Sequence, residues 1–124
     1  MEKKIRITAG DISAEAVLND SQTAEKIWNA LPIRQRGNTW GDEIYFSIPV
    51  REGESDDAKE IVSLGELAYW PPGTAFCIFF GHTPASRGNE IRPASAVNPV
   101  GMISGDPTVF KQVPDGATVV IEKA

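Results

Sequence analysis

The chain of 124 residues has little of what catalytic and metal sites are usually built from. It carries one cysteine and one histidine, so these residue types cannot supply the three or four ligands of a usual zinc site. An intrachain disulfide is excluded for the same reason. The sequence has no Gly-x-Ser-x-Gly motif and no Gly-Lys-Ser/Thr phosphate loop. Cys77 lies in the apolar string "FCIFF", which predicts a small buried hydrophobe rather than a nucleophile. These absences argue against hydrolase chemistry, and we expect no metal and no cofactor.

Basic charge and long apolar runs are scarce as well. The chain has 12 Lys and Arg residues and 17 Asp and Glu residues, which gives a net charge of −5. This negative charge argues against a nucleic-acid partner. No apolar run approaches the roughly 18 residues of a membrane helix, and Met1–Lys4 leads into no signal-type apolar core. We therefore expect no membrane partner and a cytoplasmic location. The acidic stretch "REGESDDAKE" lacks the spacing of a calcium loop and predicts a solvated connection.

Turn-forming residues are plentiful, with 11 glycines and nine prolines, and they predict many short strands within one domain over residues 1–124. Alternation in "KKIRITAG" and "DISAEAVLND" predicts an N-terminal hairpin. An apolar stripe follows through Ala24, Ile27, Trp28 and Leu31, with Asp20 or Ser21 as its cap and Pro32 as its end. This spacing predicts an amphipathic helix.

The string "IRQRGNTWGDEIYFSIPV" predicts a strand, a turn at Gly41-Asp42 and a second strand. The second half of the chain continues as strands separated by loops. The strings "GELAYW", "AFCIFF", "AVNPVGMIS" and "GATVVIEKA" all have strand character. Asp106-Pro107 has the cap-then-proline order that opens a short helix. Seven or eight strands with two short helices favour a mainly β fold, a closed antiparallel barrel with two capping helices.

Aromatic residues are concentrated in the middle of the chain, around "AYWPPGTAFCIFFGHTP". Strand alternation divides them into two sets. Leu67 and Tyr69 share a face, as do Phe76, Ile78 and Phe80; Ala68 and Trp70, and Cys77 and Phe79, have the opposite parity. One set should fill the barrel and the other should be covered or form a site. Parity alone leaves open which set does which.

The strings "NTWGDEIYFSIPV", "YWPPG", "FFGHTPAS" and "RPASAVNPVGMI" closely resemble the small prokaryotic cyclophilin-like proteins, in the same order and over nearly the whole chain. The resemblance implies an eight-stranded barrel with helices at its ends. It also implies a groove that binds proline-containing peptides. In active members an arginine lowers the barrier of about 18–20 kcal/mol to prolyl isomerisation.

Two functional positions depart from the family pattern. The Phe-His-Arg and Gln-Gly-Gly-Asp strings are missing, and spacing puts Thr39 or Trp40 where the arginine should be. The match of "VNPVGMI" puts Val97 at the place of the pocket histidine. By contrast, the strand "LAYW", ending at Trp70, resembles a wall of the family's pocket.

These observations leave two functions open. The first is a binding domain for a proline-containing peptide or a small ligand, with candidate contacts at Thr39, Trp40, Tyr45, Trp70, Phe80, His82 and Asn98. The second is a prolyl cis–trans isomerase with a substitute donor, for which the candidates are Arg36, Asn38 and His82, with Asn98 as a further one. A neutral amide stabilises developing charge less than a guanidinium does, so the second predicts modest rates. An enzyme of another chemistry has no support in the sequence, and the sequence does not indicate the oligomeric state.

Overall fold

Nine β-strands and one α-helix order most of residues 2–124, the part of the chain that the computed structural model describes. In chain order they are β1 Lys3–Ala9, β2 Ile12–Leu18, α1 Gln22–Ala30, β3 Ile33–Arg36, β4 Asn38–Thr39, β5 Glu43–Ser47, β6 Glu66–Trp70, β7 Ala75–Phe79, β8 Asn98–Ile103 and β9 Thr118–Lys123. Two 3₁₀ segments, Pro71–Gly73 and Pro107–Gln112, complete the structure.

The strands form one antiparallel sheet that curls into a nearly closed barrel. Its order is β3-β9-β1-β2-β8-β6-β7-β5-β4, so it begins and ends on two strands that only Gly37 separates. The Gly37 N–H donates to the carbonyl of Ala117 at 2.8 Å, and its own carbonyl accepts from Gly116 at 2.9 Å. The predicted barrel of about eight strands is confirmed, and the ninth strand arises because Gly37 divides one predicted strand into β3 and β4.

The two predicted helices differ in kind. Ser21 caps α1, since its Oγ accepts from the Ala24 N–H at 3.1 Å. In the second, Asp106 accepts from the Thr108 N–H at 2.9 Å, but the six residues that follow form a 3₁₀ helix rather than an α-helix. Ile27 and Phe110, one from each helix, are fully buried in the barrel core.

Apolar residues form two separate clusters, one inside the barrel and one on its outer face. The interior cluster contains the side chains on one face of the central strands, including Leu67, Tyr69, Phe76, Ile78 and Phe80. The outer cluster takes the other parity and consists of Val62, Ala68, Cys77, Phe79, Ile91 and Val97, with Tyr45 and Trp70 packed against it. The structure thus decides which of the two ring sets fills the barrel.

The α-helix has nine residues, about half of what a bilayer crossing requires. Among residues 2–124, no helix has the length and apolarity of a membrane span.

Candidate functional site

Two irregular segments, residues 48–65 and residues 80–97, cover part of the outer face of β5, β6 and β7. They join each other through isolated antiparallel bridges, Lys59 with Val97 and Val62 with Ile91. Within the second segment, the hydroxyl of Thr83 donates to the carbonyl of Arg92. The cover is therefore held by backbone and side-chain hydrogen bonds, and it buries a small second core against the barrel wall.

A cavity of about 250 Å³ lies where this cover meets the strands. Its lining is aromatic and aliphatic apart from one carboxyl group, and consists of Trp40, Glu43, Tyr45, Trp70, Pro93, Ala94 and Val97. Drug-sized ligands occupy pockets of about 300–1,000 Å³, so a cavity of this size suits a ring or another compact group.

The turn between β4 and β5 brings Trp40 and Glu43 into the cavity wall. Their backbones exchange two hydrogen bonds, Trp40 N–H to Glu43 O at 2.9 Å and Glu43 N–H to Trp40 O at 3.3 Å. Gly41 has a positive φ of 60°, and a Cβ there would lie 2.8 Å from the carbonyl oxygen of His82. Glycine is therefore required at this position both for its backbone conformation and for the close approach.

Trp70, at the end of β6, forms the opposite wall of the cavity. Its indole N–H donates to the Ser95 hydroxyl at 2.7 Å, which ties the ring to the covering segment. The 3₁₀ turn Pro71–Gly73 follows directly, with proline at its first positions. The ring is half-buried, so the cavity has a fixed aromatic side that solvent still reaches.

Glu43 is the one ionisable carboxyl group in the lining, and it is only 5% exposed. Burial raises its pKa to about 7, while the neighbouring Cys77 thiol, which donates to the carbonyl of Ala75 at 3.9 Å, acts in the opposite direction. Burial also raises the pKa of Cys77, and the neighbouring carboxylate adds to the rise. Near neutral pH the site therefore holds a neutral thiol beside a carboxyl group that is about half ionised.

Three of the predicted ligand contacts meet in this cavity: Trp40, Tyr45 and Trp70. Tyr45 lies on the same face of β5 as Glu43, opposite Cys77 on β7.

Three other predicted residues lie on β3 and β4, outside the lining. The guanidinium of Arg36 donates to the carbonyl of Gly116 at 3.3 Å, and the side-chain amide of Asn38 donates to the carbonyl of Tyr45 at 3.3 Å. Thr39 donates to the carboxylate of Asp115 through its backbone N–H at 2.9 Å and through its hydroxyl at 3.3 Å.

The remaining candidates are separated from the cavity in different ways. Phe80 is 2% exposed and belongs to the barrel interior, whereas His82 is exposed beyond the β4–β5 turn. Asn98 is 1% exposed. Its amide group donates to Gly53 O at 2.9 Å and Thr23 Oγ1 at 3.2 Å and accepts from Ser55 N–H at 2.8 Å, which ties the acidic loop to α1 and β8.

Three lining residues did not emerge from the sequence: Glu43, Pro93 and Ala94. Val97 emerged only through the family resemblance, as the residue at the place of the pocket histidine. A signal for Glu43 was present, because it lies two residues before Tyr45 in a strand and shares its face. No comparable signal exists for Pro93 and Ala94, whose positions depend on how the irregular segment folds. Among residues 2–124, no group of three or more His, Cys, Asp or Glu side chains could hold a metal ion.

Comparison with known proteins identifies the family. The model of the family described as cyclophilin-like matches residues 3–122. The chain belongs to the cyclophilin-like family. The solution structure of a hypothetical protein from Archaeoglobus fulgidus is similar to this cyclophilin-like domain, with 43% sequence identity and a TM-score of 0.84 over 99% of this chain and 95% of that one. A search of curated proteins found no match.

Proposed function

We propose that this cyclophilin-like domain binds a small ligand, or a short proline-containing segment of a peptide, in the outer-face cavity. The observation that carries this proposal is the convergence of three positions that the family resemblance assigns to the peptide groove. Trp40, near the place of the family's arginine, Val97, at that of its histidine, and Trp70, at the end of its pocket wall, all line the same cavity.

The physical character of the cavity supports binding of a compact apolar group. Trp40, Tyr45 and Trp70 offer flat ring faces against which a pyrrolidine ring or a similar group can pack. The hydrogen bond from Trp70 to Ser95 fixes one of these rings before a ligand arrives, which lowers the entropic cost of binding.

The lining supports binding more than catalysis. None of its seven residues is an arginine, and the guanidinium of Arg36 is engaged with Gly116 on another part of the barrel. A strong cationic donor toward the prolyl nitrogen is thus missing from the lining. Binding is therefore the proposed function, and prolyl isomerisation is the alternative that the experiment below would reveal.

The test is two-dimensional exchange NMR on an Ala-Pro-Phe peptide with substoichiometric protein, combined with titration of the indole N–H signals of the protein. The three tryptophans provide an internal control, because Trp28 lies on α1 beneath the Lys123 ammonium, 4.6 Å from its ring centre. We expect the Trp40 and Trp70 signals to shift while that of Trp28 stays in place.

Uncatalysed prolyl exchange takes tens of seconds or more, so new cis–trans cross-peaks would reveal an isomerase and overturn the restriction to binding. If neither a peptide nor any small-molecule probe shifts the signals of Trp40 and Trp70, the proposed binding site is wrong.

A further inference from the structure

The part of the chain that the structure describes contains two buried carboxyl groups, Glu43 and Glu66, and their hydrogen-bond and charge partners differ greatly. Glu66 is 6% exposed, and both of its oxygens accept from the Lys59 ammonium at 2.9 Å. It also accepts from the backbone N–H of Ser63 at 2.8 Å. This is the ordinary arrangement, since a buried charge is costly unless it is paired and hydrogen-bonded.

Glu43 is equally buried but has no basic partner among residues 2–124. The carboxylate next to it in the sequence, Asp42, points elsewhere and pairs with Lys111 at 3.7 Å. The polar neighbour of Glu43 is the thiol of Cys77, a weak donor. The ionised carboxylate therefore lacks a counter-charge, and its position in the cavity lining leaves room for a ligand to supply one.

The surroundings of this carboxyl group are suited to a cation. Trp40, Tyr45 and Trp70 share the cavity with it, and aromatic ring faces attract ammonium groups, most strongly where water is excluded. A carboxylate combined with several ring faces is a good environment for an alkylated ammonium ion, whose methyl groups pack against rings while its charge is neutralised.

We propose that the cavity binds a small organic cation, an ammonium group whose charge pairs with the Glu43 carboxylate and whose alkyl surface packs against Trp40, Tyr45 and Trp70. This inference rests on the proposed function, because it names the chemical class of the ligand for the same cavity.

Binding of a cation requires the ionised carboxylate, so affinity should increase with pH. With a pKa of about 7 for Glu43, the ionised fraction rises about tenfold between pH 6 and pH 8. The other titratable groups that face it are Cys77 on β7 and Tyr45 on β5 itself. The residues that β6 and the covering segment contribute, Trp70, Pro93, Ala94 and Val97, carry no charge.

The probes are choline and its neutral carbon isostere, 3,3-dimethylbutan-1-ol, which differ in charge and hardly in shape. Each is titrated at pH 6 and pH 8 while the indole signals are followed, with Trp28 again as the internal control. We expect choline to bind at least about tenfold more tightly than the isostere at pH 8. We also expect it to lose about tenfold in affinity at pH 6, whereas the isostere does not weaken.

Two variants separate the Glu43 carboxylate from the general negative charge of the region. Glu43→Gln keeps the shape and should remove the preference for choline, whereas Asp42→Asn removes the neighbouring charge and should keep it. If Glu43→Gln fails to fold, the carboxyl signal of Glu43 in the unmodified protein gives the answer by ¹³C NMR. Saturation with choline should then lower the pKa of that carboxyl group.

Three results would overturn the inference. If the isostere binds as tightly as choline at pH 8, the cavity is an apolar site without charge recognition. If the proline peptide shifts Trp40 and Trp70 while choline does not, the cation inference is wrong and the proposed function stands. If the peptide, choline and the isostere all fail to shift these signals, both the inference and the proposed function are wrong.

Discussion

The replacement Glu43→Gln should change how the stability of this protein depends on pH. In the folded protein the pKa of Glu43 is raised from 4.5 to about 7 because the carboxyl group is buried. The folded state therefore keeps a proton that the unfolded chain has already released between these two values. Unfolding releases this proton, so the contribution of Glu43 to stability is full below pH 4.5 and is lost as the pH rises through 7.

The size of the effect follows from the difference between the two pKa values. One pKa unit corresponds to about 1.4 kcal/mol, so the rise from 4.5 to about 7 costs the wild-type protein about 3 kcal/mol between pH 4 and pH 8. Glutamine cannot ionise, and the variant should escape this loss. The free energy of unfolding of Glu43→Gln, relative to wild type, should therefore increase by about 3 kcal/mol over this range.

Urea denaturation of both proteins, followed by tryptophan fluorescence at intervals from pH 4 to pH 8, measures this difference directly. With a urea m-value of about 2 kcal/mol/M, the difference between the urea midpoints of the variant and the wild type should increase by about 1.5 M from about pH 4 to about pH 8. The other titrating groups are common to both proteins and cancel in the comparison. A relative stability that stays constant within about 0.5 kcal/mol across the range would show that the burial of Glu43 has no such consequence.

Three further predictions concern a close backbone contact, a buried ion pair and a helix cap. Gly101→Ala should destabilise the fold by at least about 2 kcal/mol in urea denaturation, because a Cβ would overlap the carbonyl oxygen of Val17; a neutral result would contradict this close approach. Lys59→Met should lower the free energy of unfolding by about 2 kcal/mol, because it leaves the buried Glu66 without its counter-charge. Adding Glu66→Gln should restore most of the loss, and a double variant as weak as the single one would argue against the pairing. Ser21→Ala removes the helix cap and should cost about 1 kcal/mol, whereas Ser21→Asp, which can still cap, should retain stability.

The fold could be predicted in unusual detail because its signals are local. Alternating apolar residues gave the strands, and the capping order Asp106-Pro107 gave the position of the second helix, although not its 3₁₀ form. The break of one strand at Gly37 was not foreseen. The residues around Gly37 do not indicate this break, because β3 pairs with β9 at the far end of the chain, whereas β4 pairs with the nearby β5.

The candidate site could be predicted only in part, for a similar reason. Tyr45 and Trp70 stood out as large rings in predicted strands, and Trp40 stood out because the family resemblance puts Thr39 or Trp40 at the place of the arginine. His82 and Asn98 stood out by residue type, yet one is exposed and the hydrogen-bonding groups of the other are engaged with the loop and helix beside it. The residue type of a polar side chain does not reveal which partners the folded chain will provide.

The sequence by itself determined the family, the barrel and the division of the central rings into two sets, because each depends on residue order and on the two-residue period of a strand. Only the tertiary structure decided which set lies inside, since the period is the same on both faces. It alone also decided that Glu43 is buried. A glutamate in a strand is ordinarily solvated, and this one loses water because two distant segments of the chain pair with each other and close over the outer face of the barrel.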